Sequence, residues 1–199
     1  MTSGVNPINP SWPTNLESEP VEVRKNVIDH YQSMSTEVIK GMLQEKRGEL
    51  IIIAENYCSD FNLATTIRNS NAFVVKEVRI TGRRKWDRRG AVGTQNYETI
   101  KYYDSTEEAF EGLREEGYKI VVADNVDTAV DVRDYAWQPR TALVLGQEQL
   151  GVSETALQLA DDIVYIPMLG SVRSLNVAVA SGIMMYDYTS KVMPHGTAI

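Results

Sequence analysis

The chain reads as an α/β domain, a mainly parallel sheet with helices on both faces, and three observations carry that reading. From Glu49 onward, short β-rich apolar runs alternate with amphipathic stretches of helical period. The 199 residues suit one domain of ordinary size with a proper core. No internal repeat or low-complexity tract interrupts the alternation.

Residues 1–20 hold four prolines and little apolar periodicity, so they read as an extended or disordered arm. Helical patterns follow at 21–31 and 35–47; in the second, Val38, Ile39, Met42 and Leu43 form the apolar stripe and Gly48 ends it. The alternation then runs strand 49–54, helix 60–72, strand 76–81 and a basic loop 82–97. Helix 105–116 opens on a capping box, Ser105 with Glu108, and stops at Gly117. Strands 118–123 and 141–145, a short helix 153–160, strand 163–166 and helix 175–190 complete the series. The expected organisation is an N-terminal extended and helical arm (1–48), a folded domain (49–192) and a flexible tail (193–199).

Composition excludes several classes. With 43% hydrophobic and 24% charged residues the chain is of the soluble globular type, and its longest apolar runs are far below membrane-spanning length. The opening MTSGVNPINPSWPTN lacks the basic start and apolar run of a signal peptide, so the expected location is cytoplasmic. One cysteine, Cys58, rules out an internal disulfide and a cysteine-based zinc site; two histidines, His30 and His195, argue against any metal.

A formal charge of −7 argues against a general nucleic-acid coat, because phosphate binding needs clustered Lys and Arg. One segment runs the other way. Between Arg79 and Gly90 stand six basic residues, Arg79, Arg83, Arg84, Lys85, Arg88 and Arg89, against the single acid Asp87. Trp86 sits among them, and an aromatic among arginines on a glycine-bounded loop suits phosphate contact with base stacking. Arg83, Arg84, Lys85, Trp86, Arg88 and Arg89 are therefore the candidate RNA-binding residues.

Ligands of parallel sheets sit beyond the carboxyl ends of strands, and three loops qualify: 55–62, 146–152 and 167–174. In the first, Asn62 and Arg68 lie six residues apart on a helix, about 1.7 turns, so they do not share one face. Arg68 is a natural phosphate or hydroxyl anchor as well as a surface ion-pair former. In the second, Glu148 stands between Gly146 and Gly151 as a directed carboxylate; the lysine of a P-loop is missing, and no G-x-G-x-x-G occurs anywhere in the chain. The third joins strand to helix through Pro167 and Gly170, with Ser174 as N-cap before an apolar run that begins at Leu175. It aims backbone N–H groups and a helix N-terminus into one pocket, with Ser174 and Asn176 as side-chain donors.

Together these residues carry a resemblance that none carries singly. N-L-x-x-x-x-R (62–68), L-V-L-G-x-E-x-x-G-V-S (143–153) and I-P-M-x-G-x-x-x-S-L-N-V-A-V-A (166–180) resemble the three ordered motifs of the SpoU, or TrmH-like, branch of the SPOUT RNA methyltransferases. The resemblance spans residues 49–190. It implies an α/β fold with a deep C-terminal trefoil knot, a homodimer, and transfer of a methyl group from S-adenosylmethionine to a ribose 2′-hydroxyl of RNA, with tRNA favoured over rRNA. It assigns Asn62, Arg68, Glu148, Ser174 and Asn176 to the active site. It gives the cofactor to Ala123, Leu145, Gly146, Gly151, Ile166, Pro167, Met168, Gly170, Ser174, Leu175 and Asn176.

Two departures stand out: Asp60 and Phe61 precede Asn62 where the family often has proline, and Ala178 stands where serine is frequent. The small N-terminal substrate domain of some members is missing, so target choice falls to the arm and the GRRKWDRRG loop. The alternative is a member that binds RNA without turnover; a nicotinamide oxidoreductase is disfavoured by the missing glycine fingerprint.

Overall fold

The computed structural model describes residues 26–55, 60–147 and 150–193. Seven parallel strands form one sheet: β1 Ile51–Glu55, β2 Glu77–Thr81, β3 Ile100–Tyr103, β4 Lys119–Ala123, β5 Val130–Asp131, β6 Thr141–Leu145 and β7 Asp162–Tyr165, in the order β3-β2-β1-β6-β4-β7-β5. Five helices accompany them: α1 Thr36–Lys46, α2 Asp60–Ala72, α3 Thr106–Phe110, α4 Glu154–Leu159 and α5 Val177–Val192.

The period-two alternation of the strands sorts the core into two layers. Ile52, Ala54, Val78, Ile80, Val121, Leu143 and Leu145 face α2 and α5, where Leu63, Ile67, Met184, Met185 and Tyr188 meet them. Ile51, Ile53, Ile120, Val122, Ala142 and Val144 face α3 and α4, against Phe110, Leu113 and Ala156. Helices cover both faces, so the central strands are largely apolar, with Glu55 at the end of β1 and Thr141 at the start of β6 as buried polar exceptions.

Half of the Ser105 capping box forms: its Oγ accepts from Glu108 N at 3.2 Å, while the Glu108 carboxylate reaches one residue further back and accepts from Asp104 N at 3.0 Å. The α-helix nevertheless ends at Phe110, with turns leading to Gly117. Strands β3 and β5 are additions to the sequence reading, both at sheet edges. Of the pattern at 21–31, the described part holds only a short 3₁₀ turn, Asp29–Tyr31. Helix α1 packs on the body through Ile39 and Leu43, with Tyr31 and Tyr97. The side chain of Arg47, just after it, is buried and donates to Glu98 at 2.8 Å and to the carbonyls of Tyr97 and Val75.

Candidate functional site

The chain doubles back in sheet order around β6, which is inserted between β1 and β4, and a large cleft opens at the carboxyl ends of the strands there. Ala123, Leu145 and Val164, at or near the carboxyl ends of β4, β6 and β7, form its floor. Its walls are Gly146, Gln147, Leu150, Gly151 and Val152 on one side, and Ile166, Pro167, Met168, Val172, Arg173, Ser174 and Leu175 on the other. The volume is about 840 Å³.

The Gly146–Gly151 wall is a tight hairpin. Gln147 N donates to Gly151 O and Gly151 N to Gln147 O, both at 2.8 Å, and Gly151 takes the left-handed conformation with φ +71°. A Cβ on Gly146 would lie 2.5 Å from Gly151 C and Val152 N, so only glycine lets the two limbs close.

Ser174 reaches the cleft but does not cap α5. The cap is Asn176, whose Oδ1 accepts from Ala178 N at 3.0 Å and Val179 N at 3.4 Å. The helix accordingly starts at Val177 rather than Leu175. Asn176 Nδ2 donates to Asn62 Oδ1 at 2.9 Å, which joins the first and third motifs. Nearby, Asn69 Nδ2 donates to Ala178 O at 2.9 Å and Ser181 Oγ at 3.0 Å, and fastens α2 to α5.

Asn62 and Asn176 line a second, shallower hollow of about 420 Å³ between α2 and α5, outside the main cleft. Arg68 is exposed on α2 and lines neither hollow. Gly170 is exposed and also stands outside the cleft. Glu148 lies outside the described residues. Within one chain, then, nine of the eleven expected cofactor residues line one cleft, while Asn62, Arg68 and Asn176 lie apart from it.

Sequence reasoning missed Asp124, Asn125, Gln147 and Arg173, which give the cleft most of its polar lining. Asp124 and Asn125 directly follow a predicted strand, the signal that could have found them.

The basic loop needs one correction. Trp86 is only 9% exposed and sits in the core, its Nε1–H donating to the Tyr102 hydroxyl at 3.0 Å. It anchors the loop instead of offering a stacking face. Arg79 is likewise buried, paired with Glu77 at 2.7 Å. Arg83, Arg84, Lys85, Arg88 and Arg89 remain exposed, with Arg84 on Asp104 and Arg89 on Asp87, both at 2.6 Å. Among the described residues, no cluster of three or more His, Cys, Asp or Glu could hold a metal, and no helix is long and apolar enough to cross a membrane.

Fold and cleft define a parallel α/β protein built to hold a small ligand where three neighbouring strands end. The chain belongs to the SpoU rRNA Methylase family, whose sequence profile matches residues 49–186. It is 32% identical over 149 residues to the tRNA (guanosine(18)-2'-O)-methyltransferase of Escherichia coli (strain K12), covering 73% of this chain and 65% of that protein. The chain therefore spans just under two thirds of that relative's length. The structure of the Aquifex aeolicus TrmH/SpoU tRNA modifying enzyme superposes with a TM-score of 0.73 at 25% identity, over 81% of this chain and 84% of that one. The SpoU methyltransferase AviRb from Streptomyces viridochromogenes, solved in complex with the cofactor AdoMet, shares the fold at a TM-score of 0.67 and 24% identity, over 72% and 58% of the two chains.

Proposed function

We propose that this protein is an S-adenosylmethionine-dependent RNA methyltransferase that acts on a ribose 2′-hydroxyl of tRNA. The observation that carries the reading is the cleft, whose walls come from the second and third sequence motifs. The lining suits the cofactor: Leu145, Val164, Ile166, Met168 and Leu175 offer an apolar slot for adenine, and Asp124, Asn125, Gln147, Arg173 and Ser174 offer polar partners for the ribose and the zwitterion. The relative named as a tRNA enzyme favours tRNA over the rRNA of the family's name.

When bound, S-adenosylmethionine supplies a methyl group on a sulfonium, so the leaving group needs no acid. The protein's contribution is to bring the hydroxyl into line and let its proton go. The Arg68 guanidinium offers N–H donors and no acceptor, so it orients the hydroxyl and the neighbouring phosphate, and the proton passes to phosphate or water. Asn62 and Glu148 hold the arginine and ribose in register, while Ser174 and Asn176 shape the pocket.

Arg68 stands outside the cleft of its own chain, so the reading includes a homodimer in which a second copy brings it there. Exposed Val179, Ile183 and Tyr186 on α5, on and beside the Asn62–Asn176 hollow, are the apolar surface for that contact. The reading also includes a trefoil knot formed by the segment after β7, a catalytic unit of residues 49–192, and RNA selection by residues 1–48 with the exposed arginines of the basic loop. The enzyme works in the cytoplasm, where its substrate is.

The test is transfer of a labelled methyl group from S-adenosylmethionine to total tRNA, with chemical mapping of the 2′-O-methyl site. Activity should fall at least about a hundredfold in Arg68→Ala, the loss of an orienting group. No transfer by the wild type to tRNA or rRNA, with S-adenosylmethionine still bound, would favour the non-catalytic RNA-binding reading.

A further inference from the structure

We propose that Glu55 is a positioning residue of the cofactor cleft, a buried carboxylate that clamps the exit of the Gly146–Gly151 hairpin to the end of β1. The inference rests on the reading of that cleft as the S-adenosylmethionine site. Glu55 is only 3% exposed, and strand parity turns it to the face of Ile51 and Ile53, toward α3 and α4. Its backbone is held in register opposite Thr81 of β2.

From there its two oxygens take three hydrogen bonds. Oε2 accepts from Ser153 N at 2.7 Å, and Oε1 accepts from Ser153 Oγ at 2.6 Å and Thr106 Oγ1 at 2.5 Å. The Ser153 hydroxyl, having donated to Glu55, accepts from Ala156 N at 3.1 Å and so caps α4. Serine at this position is therefore fully used: its hydroxyl serves clamp and cap together.

The consequence for the cleft follows from the chain's path. Ser153 directly follows Gly151 and Val152, which line the cleft. The hairpin's entry is fixed by the pairing of Leu145 with Ala54 and Ala123. Among the described residues its exit has no partner in the sheet, and the Glu55 carboxylate on the Ser153 N–H supplies the fixed point. With both ends held, the Gln147–Gly151 bonds keep the hairpin closed beside the ligand. A buried carboxylate with two oxygens engaged by two separate segments goes beyond ordinary packing, because a hydrocarbon of the same size would fill the space without setting the 152–153 peptide.

Glu55→Gln preserves size and replaces one acceptor with a donor aimed at another donor. Calorimetric titration of the folded variant with S-adenosylmethionine should show affinity about tenfold or more weaker. KM for S-adenosylmethionine should rise while KM for tRNA stays, and the Ser153 amide should exchange faster. Ser153→Ala, which retains the N–H, should lose less, and the double variant should lose no more than Glu55→Gln alone.

Wild-type cofactor affinity in folded Glu55→Gln overturns the proposal, as does an additive loss in the double variant. If Glu55→Gln does not fold, Ser153→Ala and Thr106→Val carry the same test, and wild-type affinity in both overturns it. A wild-type protein that binds no S-adenosylmethionine defeats the cofactor reading instead. The clamp is then judged on Ser153 amide exchange, which supports it if faster in Glu55→Gln and overturns it if unchanged.

Discussion

Gly146→Ala is the substitution for which the structure gives the sharpest expectation. The added Cβ would stand 2.5 Å from Gly151 C, 2.5 Å from Val152 N and 2.6 Å from Gly151 O. All three are backbone atoms, and the limb that carries them is held by the two Gln147–Gly151 hydrogen bonds at 2.8 Å. No side chain can swing away, so the hairpin must open. Overpacking of this kind costs about 1–3 kcal/mol, which for a domain of this size lowers Tm by roughly 2–12 °C. Gly151→Ala has open space but a φ of +71°, and should lose about 1–2 kcal/mol for the left-handed backbone alone. Gly170→Ala meets neither obstacle and should change stability by less than about 0.5 kcal/mol. Thermal denaturation of the three variants, with S-adenosylmethionine titrated into each, measures the series. The expected order of damage is Gly146, Gly151, Gly170 for both stability and cofactor affinity. A Gly146→Ala protein that melts and binds like the wild type would refute the closed hairpin.

Four other outcomes can be checked independently. If a second copy supplies Arg68, co-expression of Arg68→Ala with a cleft-blocking Ser174→Trp should restore about a quarter of wild-type activity from two inactive parents, since half of the dimers are mixed and each has one intact site; zero recovery in purified mixed dimers refutes the shared site. Replacing Arg83, Arg84 and Lys85 by Ala should weaken RNA binding and flatten its salt dependence by about 0.7–0.9 in log–log slope for each phosphate left without its cation. Trp86→Ala should instead destabilise the fold by about 3–5 kcal/mol, read from urea midpoints. At the amino end of the sheet, hydrogen bonds from Lys76 and Tyr118 hold the Glu49 carboxyl below its ordinary value. Its stabilisation is present above pH 4.5, the ordinary value, and lost as pH falls through the lowered one, so the acid limb of the urea midpoint should flatten in Lys76→Met; an unchanged limb refutes the coupling.

How far the sequence can be read depends on how local each cause is. Helix α2 and strand β6 fall where the pattern places them, because Asp60–Ala72 and Thr141–Leu145 are set by their own apolar spacing. Strand β3 escapes notice since IKYY is four residues at an edge, with Lys101 exposed and paired to Glu77 across the strands. The two-residue β5 has no pattern to read; it exists because Val130 and Asp131 lie beside Val164 and Tyr165. Trp86 misleads for a similar reason. Its neighbours are charged, and the partners that bury it, Tyr102 among them, are distant in sequence. Glu55 carries no motif at all, and its meaning comes from Thr106 and Ser153, which stand 51 and 98 residues away.

The cap of α5 shows why that distinction matters for the site. Either Ser174 or Asn176 satisfies the local rule for an N-cap, and sequence alone has no ground for choosing between them. The tertiary fold chooses. Asn62 on α2 stands where it can accept from the Asn176 amide, and only a side chain with donor and acceptor ends can meet Asn62 with one and two α5 N–H groups with the other. A serine hydroxyl also donates and accepts, as Ser153 does, but from a single oxygen, whereas the amide sets its donor and acceptor on separate atoms that reach Asn62 and the α5 N–H groups in different directions. Starting the helix at Val177 leaves Ser174 outside the cap, in the cleft wall where a polar group can meet a ligand. The same choice orients Asn62 through α5 itself, so any shift of that helix is transmitted to the first motif. Asn176→Asp tests this division of labour: the carboxylate still caps α5 but cannot donate to Asn62. The helix should remain intact by circular dichroism while methyl transfer falls, and loss of both together would mean that the cap, not the tether, was the essential bond.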